Sequence, residues 1–274
     1  MSASTSPFRD RAWVRVPRSL VSGLLFLVFG LGGLLIGGAI FPLCLLAGDN
    51  ARTRRVLRGV VRESWRLFMW AGRVTGTFRV VVSPEDRARL AAARGRVVVA
   101  NHLTLIDVVV LASLLPDSTS IAKAAAGRNF FYSRIVRSVF LVNDDPAHVR
   151  ADAARLLSGG TNVIVFPEGT RQPVDAPERK LRRGAAQIAL GAGVPILPVA
   201  IACDPPVLAK GQPWYDVGDR MIVWTLRVGA EIPVPSSVAP SARHAAATTL
   251  TRIIQSRLWG RSSCRCHGHG DVLE

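Results

Sequence analysis

The stretch Val97–Ser113, VVVANHLTLIDVVVLAS, carries one imidazole, His102, and one carboxylate, Asp107, through an otherwise apolar run. RVVVA (96–100) reads as a strand buried on both faces, and LTLIDVVVLASLL (103–115) as a helix that follows it. His102 then stands where the strand stops, the place at which ligands approach the sheet of an α/β fold. Asp107 falls in the first turns of the helix, which bring the chain back beside its start, so the carboxylate can reach the imidazole. An aspartate bonded to one ring nitrogen fixes the tautomer and supports the imidazolium, and the other nitrogen is left to take a proton from a hydroxyl. No serine or cysteine follows in a nucleophile-elbow context. The pair points to direct activation of an alcohol. A core histidine satisfied by a helix carboxylate is the alternative reading of these two residues alone.

Working outward, apolar β-rich runs occur at 77–82, 96–100, 118–123, 138–142, 161–166, 195–202 and 221–228. Helical patterns lie between them near 104–114, 128–137, 146–158, 182–192 and 241–258. This alternation predicts an α/β fold: a mixed, mostly parallel sheet of about seven strands flanked by helices. No internal repeat is present. The expected organisation is a basic segment at 1–18, a membrane element with a basic helix at 19–75, the main domain at 76–260 and a disordered tail at 261–274. The tail holds Cys264 and Cys266 beside two histidines, but a metal site there lacks any fold to support it.

The 274 residues carry a net charge of +16, and of the 35 basic residues only Lys123, Lys180 and Lys210 are lysine. Such a surplus favours anionic partners. Nucleic acid is a poor fit, because the arginines are spread without aromatic interleaving and no nucleic-acid-binding signature is present. Four cysteines in this spacing form no disulfide framework, consistent with a reducing compartment. From Ser19 to Gly48 there is no charged residue. As one straight helix this segment would reach about 45 Å, against about 30 Å for a bilayer core. Arginines flank both ends, and lysine and arginine favour the cytoplasmic side. Gly30, Gly32, Gly33, Gly37, Gly38 and Pro42 offer places to turn. A helical hairpin dipping into one leaflet, both ends cytoplasmic, is therefore expected; a single tilted span is the competing reading. In the following segment Arg55, Arg58, Arg62 and Arg66 share one helix face, with Trp65, Phe68 and Trp70 elsewhere. That pattern suits an anionic headgroup layer, or else a solvated helix packed on the domain.

A second stretch, TNVIVFPEGTRQ (161–172), sets another buried strand directly before Phe166-Pro167-Glu168-Gly169-Thr170-Arg171. Gly169 permits a tight turn, Arg171 offers a forked donor suited to phosphate, and Glu168 is placed to orient the arginine or the histidine. Taken together, the two stretches resemble the glycerolipid acyltransferases, the lysophosphatidate acyltransferase-like enzymes. Asn101, His102 and Asp107 match the Asn-His-x4-Asp motif, and 166–171 matches Phe-Pro-Glu-Gly-Thr-Arg in full. Val194, Pro195, Pro198 and Val199 match a later Val-Pro-x-x-Pro-Val motif. The likeness covers roughly 75–230, and N-terminal membrane attachment is also similar.

The resemblance implies acyl transfer from a thioester of acyl carrier protein or coenzyme A to the free hydroxyl of a lysophospholipid. His102 would be the base and Asp107 its orienter; Glu168, Gly169, Thr170 and Arg171 would meet the acceptor phosphate. Lys123 matches a basic position often kept nearby, a phosphate contact or a solvated lysine. Backbone amides near the Gly169 turn are candidates for the oxyanion that thioester attack creates. No metal or redox cofactor is implied. The expected partners are an anionic lipid membrane, the lysophospholipid acceptor and an acyl carrier protein, with the catalytic domain on the cytoplasmic face of the cell membrane. The chain departs from the family in VFLVNDDPAH (139–148), where Asn143, Asp144 and Asp145 stand in place of a phosphate-binding arginine. Either these side chains face away, or the acceptor headgroup differs, an amine-bearing one suiting Asp144 and Asp145. Arg179, Lys180, Arg182 and Arg183 would attract an acidic carrier, coenzyme A phosphates or the membrane, or form a solvated face. Rival functions are a lipid-binding protein without turnover and a thioester or lipid hydrolase.

Overall fold

The computed structural model describes residues 12–124, 133–171, 180–208, 220–235 and 237–259. The expectations for 1–11, for the side chain of Lys123 and for the 261–274 tail lie outside the described residues. The described residues begin with α1 (Ala12–Leu35), a π-helical turn (Ile36–Ile40), α2 (Phe41–Leu46) and α3 (Ala51–Val74). The α/β part then runs β1 (Phe78–Val82), α4 (Pro84–Ala92), β2 (Val97–Ala100), α5 (Asp107–Leu114), β3 (Ser118–Lys123), α6 (Ser133–Val139) and β4 (Leu141–Asn143). It closes with α7 (Pro146–Ser158), β5 (Asn162–Val165), α8 (Gly184–Ala192), β6 (Ile196–Asp204), β7 (Ile222–Val228) and α9 (Arg243–Trp259).

Seven strands form one sheet in the order β1-β7-β6-β2-β5-β3-β4. Every neighbouring pair is parallel except β6 and β7. The mixed, mostly parallel sheet read from the sequence is therefore the architecture observed. β2 shows why its run is apolar throughout. Val97 and Val99 pack toward α7, α8 and α9, while Val98 and Ala100 pack toward α3, α4 and α5. Alternate side chains leave a strand on opposite faces, so a strand covered on both sides needs apolar residues at every position.

Two elements differ from the pattern analysis. The run 138–142 was expected as a strand, yet its first residues finish α6, and β4 is only Leu141–Asn143. Val139 belongs to the helix because its side chain packs into a small cluster with Phe41 and Leu57. Period alone does not separate a short strand from a buried helix end. No apolar period marks a helix at 84–92, although one forms there: Ser83 caps Asp86 N–H, Pro84 opens the first turn and Glu85 and Asp86 follow.

The N-terminal element needs a correction. No turn interrupts the apolar segment at its glycines or at Pro42: helix runs from Ala12 to Leu46, relieved by the π-turn just before Pro42, a residue without an N–H to donate. The reversal comes later, at Ala47–Asn50, where Asn50 Oδ1 accepts from the N–H groups of Arg52 and Thr53. The hairpin is thus made of residues 12–46 against α3. Phe26 and Phe29 lie 5.6 and 4.6 Å from Phe68, ring centre to ring centre, and Phe68 lies 5.2 Å from Phe78 of β1. Gly72 makes this approach possible, since a Cβ there would fall 2.0 Å from the Phe78 ring. α3 is also fixed by Arg58, 6% exposed, whose Nε and Nη2 donate to the two Asp117 oxygens at 2.7 and 3.1 Å. The opposite face of the first arm is bare. Leu20, Leu24, Leu27, Leu31 and Leu35 are each more than half exposed. Val16–Leu46, with a mean hydropathy of 2.5, is the one helix among the described residues long and apolar enough to cross a membrane.

Candidate active site

The strands β2 and β5 are neighbours, so their C-terminal ends bring the two motifs together. Asn101 prolongs the ladder beyond β2: its Nδ2 donates to Ile201 O and its Oδ1 accepts from Ile201 N–H, both at 2.7 Å. An amide side chain mimics a peptide group in this way and holds the strand tip against β6. The next residue, His102, is released from the sheet. Its backbone N–H donates to Glu168 Oε2 at 3.0 Å, and its ring stacks on Phe166 with centres 4.4 Å apart. Each motif therefore braces the other.

Asp107 is fully buried and collects donors. His102 Nδ1 lies 3.0 Å from its Oδ2, which also accepts the N–H groups of Leu103 at 2.6 Å and Thr104 at 2.7 Å. Oδ1 accepts the Thr104 hydroxyl, and Trp224 Nε1 donates to that hydroxyl oxygen at 3.3 Å. With the carboxylate ionised, Nδ1 is the protonated nitrogen and Nε2 has its lone pair toward the cleft. The His102 side chain is 21% exposed against 0% for Asp107, so the imidazole is reachable and its carboxylate partner is shielded.

The cleft has a volume of about 400 Å³. Its walls come from four strand ends and two helix starts. His102, Phe166, Gly169, Thr170 and Arg171 line one side; Ile121, Ala122, Asn143, Pro146, Val149 and Arg150 line the side toward β3, β4 and α7. Gly169 is in the left-handed region at φ +72°, and a Cβ on it would sit 2.8 Å from Arg182 Nε. The glycine is needed twice, for the turn and for the guanidinium that lies over it. Its N–H, one of the amides expected to face an oxyanion, already donates to Phe166 O at 3.0 Å.

Other predicted residues are placed as follows. Arg171 lines the cleft while its Nη1 donates to Leu208 O at 2.9 Å, pinning the bend after β6. Glu168, expected to contact substrate, is 4% exposed and lies under the motif turn, where it holds the His102 backbone. Lys123 ends β3 opposite Asn143. Of the acidic segment only Asn143 reaches the cleft. Asp144 faces Arg137, whose guanidinium holds its carboxyl below the usual carboxylate range. Asp145 caps α7 through Ala147 N–H and lies 3.5 Å from His148. The two carboxylates of this segment, Asp144 and Asp145, are thus turned away, while Asn143 is not. Arg183 leaves the cleft for His244, whereas Arg182 enters it. Arg150 was missed, although Pro146, Val149 and Arg150 at i, i+3 and i+4 share a helix face once the start of α7 is known. Cys203 offers no alternative nucleophile, since burial pushes its thiol up to about 12. Among the described residues no group of three or more histidine, cysteine, aspartate or glutamate side chains is placed to hold a metal.

A buried carboxylate–imidazole pair at a strand tip, beside a basic cleft, defines the class. A sequence model of the acyltransferase family matches residues 60–202, and the chain belongs to that family. It is an acyltransferase of the 1-acylglycerol-3-phosphate acyltransferase-like group. The mouse protein 1-acyl-sn-glycerol-3-phosphate acyltransferase alpha is 27% identical over 80% of this chain and 77% of its own length. A probable 1-acyl-sn-glycerol-3-phosphate acyltransferase of Mycoplasma pneumoniae is 31% identical over 47% of this chain and 50% of its own. The crystal structure of the 1-acyl-sn-glycerophosphate (LPA) acyltransferase PlsC from Thermotoga maritima shares the fold, with a TM-score of 0.57 at 21% identity over 87% of this chain and 97% of that one.

Proposed function

We propose that the protein transfers a fatty acyl group from an acyl thioester, of acyl carrier protein or coenzyme A, to the free hydroxyl of a lysophospholipid, with 1-acyl-glycerol-3-phosphate as the leading acceptor. The observation that carries this reading is the 3.0 Å contact between His102 Nδ1 and a fully buried Asp107, with the ring open to the cleft. Nε2 takes the proton of the lipid hydroxyl as its oxygen attacks the thioester carbonyl. The tetrahedral intermediate collapses, the C–S bond breaks, and the proton held on the imidazolium passes to the departing thiolate. Asp107 offsets the transient positive charge on the ring. Thr170 and Arg171 contribute the polar wall on which the acceptor phosphate rests.

The bare face of the 12–46 helix lies in the outer part of one leaflet, with α3 on its inner side. An upright span is disfavoured because the helix is packed along α3, whose Arg52, Arg54, Arg55, Arg58, Arg62, Arg66 and Arg73 would be drawn toward the hydrocarbon. The catalytic cleft then faces the cytoplasm. Purified His102→Ala is expected to bind vesicles and to melt near the wild-type temperature while acyl transfer falls to background. A variant that still transfers at wild-type rate with any thioester and lysolipid removes His102 as the base.

A further inference from the structure

Among the described residues three arginines line the cleft, and they are not equivalent. Arg171 is engaged with the Leu208 carbonyl. Arg150 and Arg182 are exposed, line the same cleft as His102, and pair with no carboxylate among the described residues. Arg182 is fixed over Gly169 by its backbone N–H, which donates to Pro167 O at 2.7 Å. Arg150 is presented by the first turns of α7, whose Pro146 and Val149 line the cleft beside it. The acidic side chains that precede α7 are turned out of the cleft and held by Arg137 and by the helix N-terminus. Among the described residues, two cations without counter-ions thus remain in a cleft from which Asp144 and Asp145 are turned away.

We infer that Arg150 and Arg182 form a phosphate clamp, the specificity element of the site, and that α7 supplies through Arg150 the positive charge that position 144 does not. This inference rests on the reading of the His102 cleft as the acyl-transfer site. Both substrates of that reaction carry phosphate: the lysophosphatidate acceptor on its glycerol, and the thioester donor on its phosphopantetheine arm. A guanidinium offers paired donors that fit phosphate oxygens, and two arginines reaching one group add charge and fix its orientation.

The test is equilibrium binding to full-length protein in detergent micelles, made in the His102→Ala background so that turnover plays no part. The probes are lysophosphatidate, its uncharged monoacylglycerol counterpart, and a coenzyme A thioester. Arg150→Ala/Arg182→Ala is expected to weaken one phosphate-bearing probe by about tenfold or more, with Arg150→Lys/Arg182→Lys recovering part of the loss. Monoacylglycerol binding should stay unchanged. Loss confined to lysophosphatidate assigns the clamp to the acceptor; loss confined to the thioester assigns it to the donor. Unchanged binding of both by a variant that melts at the parent temperature overturns the proposal, as does a parent that binds neither. Acyl transfer by His102→Ala itself would instead sink the general-base reading, independently of this result.

Discussion

Replacing Asp107 by asparagine separates the carboxylate's structural task from its chemical one. Four donors converge on the buried side chain: His102 Nδ1, the N–H groups of Leu103 and Thr104, and the Thr104 hydroxyl. Alanine would strand all of them at about 1–3 kcal/mol each, enough to threaten a domain whose whole stability is on the order of 5–15 kcal/mol. Asparagine is gentler. Its amide oxygen can take the Oδ2 position and accept the same three N–H donors, and its NH2 can face Thr104 Oγ1, whose hydroxyl can turn. Three charge-assisted bonds become neutral ones at roughly 1 kcal/mol each, so about 3 kcal/mol of stability is lost. At about 2–4 °C per kcal/mol the melting temperature should fall by about 6–12 °C. The tautomer survives, but the imidazolium loses its counter-charge, so kcat should drop by about 10²–10⁴-fold in protein that is still folded. The measurement pairs calorimetry with initial rates at saturating thioester and lysophosphatidate. Rates within about threefold of wild type, in protein destabilised as calculated, would show that the carboxylate only holds the loop and would refute its part in catalysis.

Two further outcomes are expected. Arg58→Met removes the buried guanidinium from Asp117 and from the Thr161 hydroxyl and leaves the carboxylate only the exposed Arg55, 3.6 Å away, so urea unfolding should show a loss of about 1–3 kcal/mol; a change under about 1 kcal/mol would mean that α3 is held by its aromatic contacts alone. Leu24→Ser/Leu27→Ser/Leu31→Ser removes three side chains from the bare helix face, each of which would gain about 1.5–3 kcal/mol by entering hydrocarbon; flotation with anionic vesicles should fail while soluble-phase melting is unchanged, and undiminished flotation would place the attachment elsewhere.

How much was legible in the sequence follows from which interactions are local. His102 and Asp107 are five residues apart, and the strand-to-helix turn that joins them is written in VVVANHLTLIDVVVLAS, so their contact could be read before any fold existed. The central strands β2 and β5 were legible because a strand covered on both faces demands an unbroken apolar run, and β1 and β7 because their burial alternates along β-branched residues. Residues that depend on chain segments far apart were not. Only the adjacency of β2 and β5 reveals that Glu168 grips the His102 backbone, and only the packing of α8 under the β5 turn carries Arg182 over Gly169 while its neighbour Arg183 goes to His244. The orientation of Asp144 was equally hidden, since it is set by Arg137 on α6.

The sequence alone determined the α/β sheet, the imidazole–carboxylate pair and the apolar N-terminal segment, because local spacing and hydrophobic period encode all three. Tertiary structure alone decided where that segment turns, which arginines enter the cleft and which carboxylates leave it. A charged side chain's direction depends on the surface it meets across the fold, and that surface is assembled from residues its own neighbourhood does not contain.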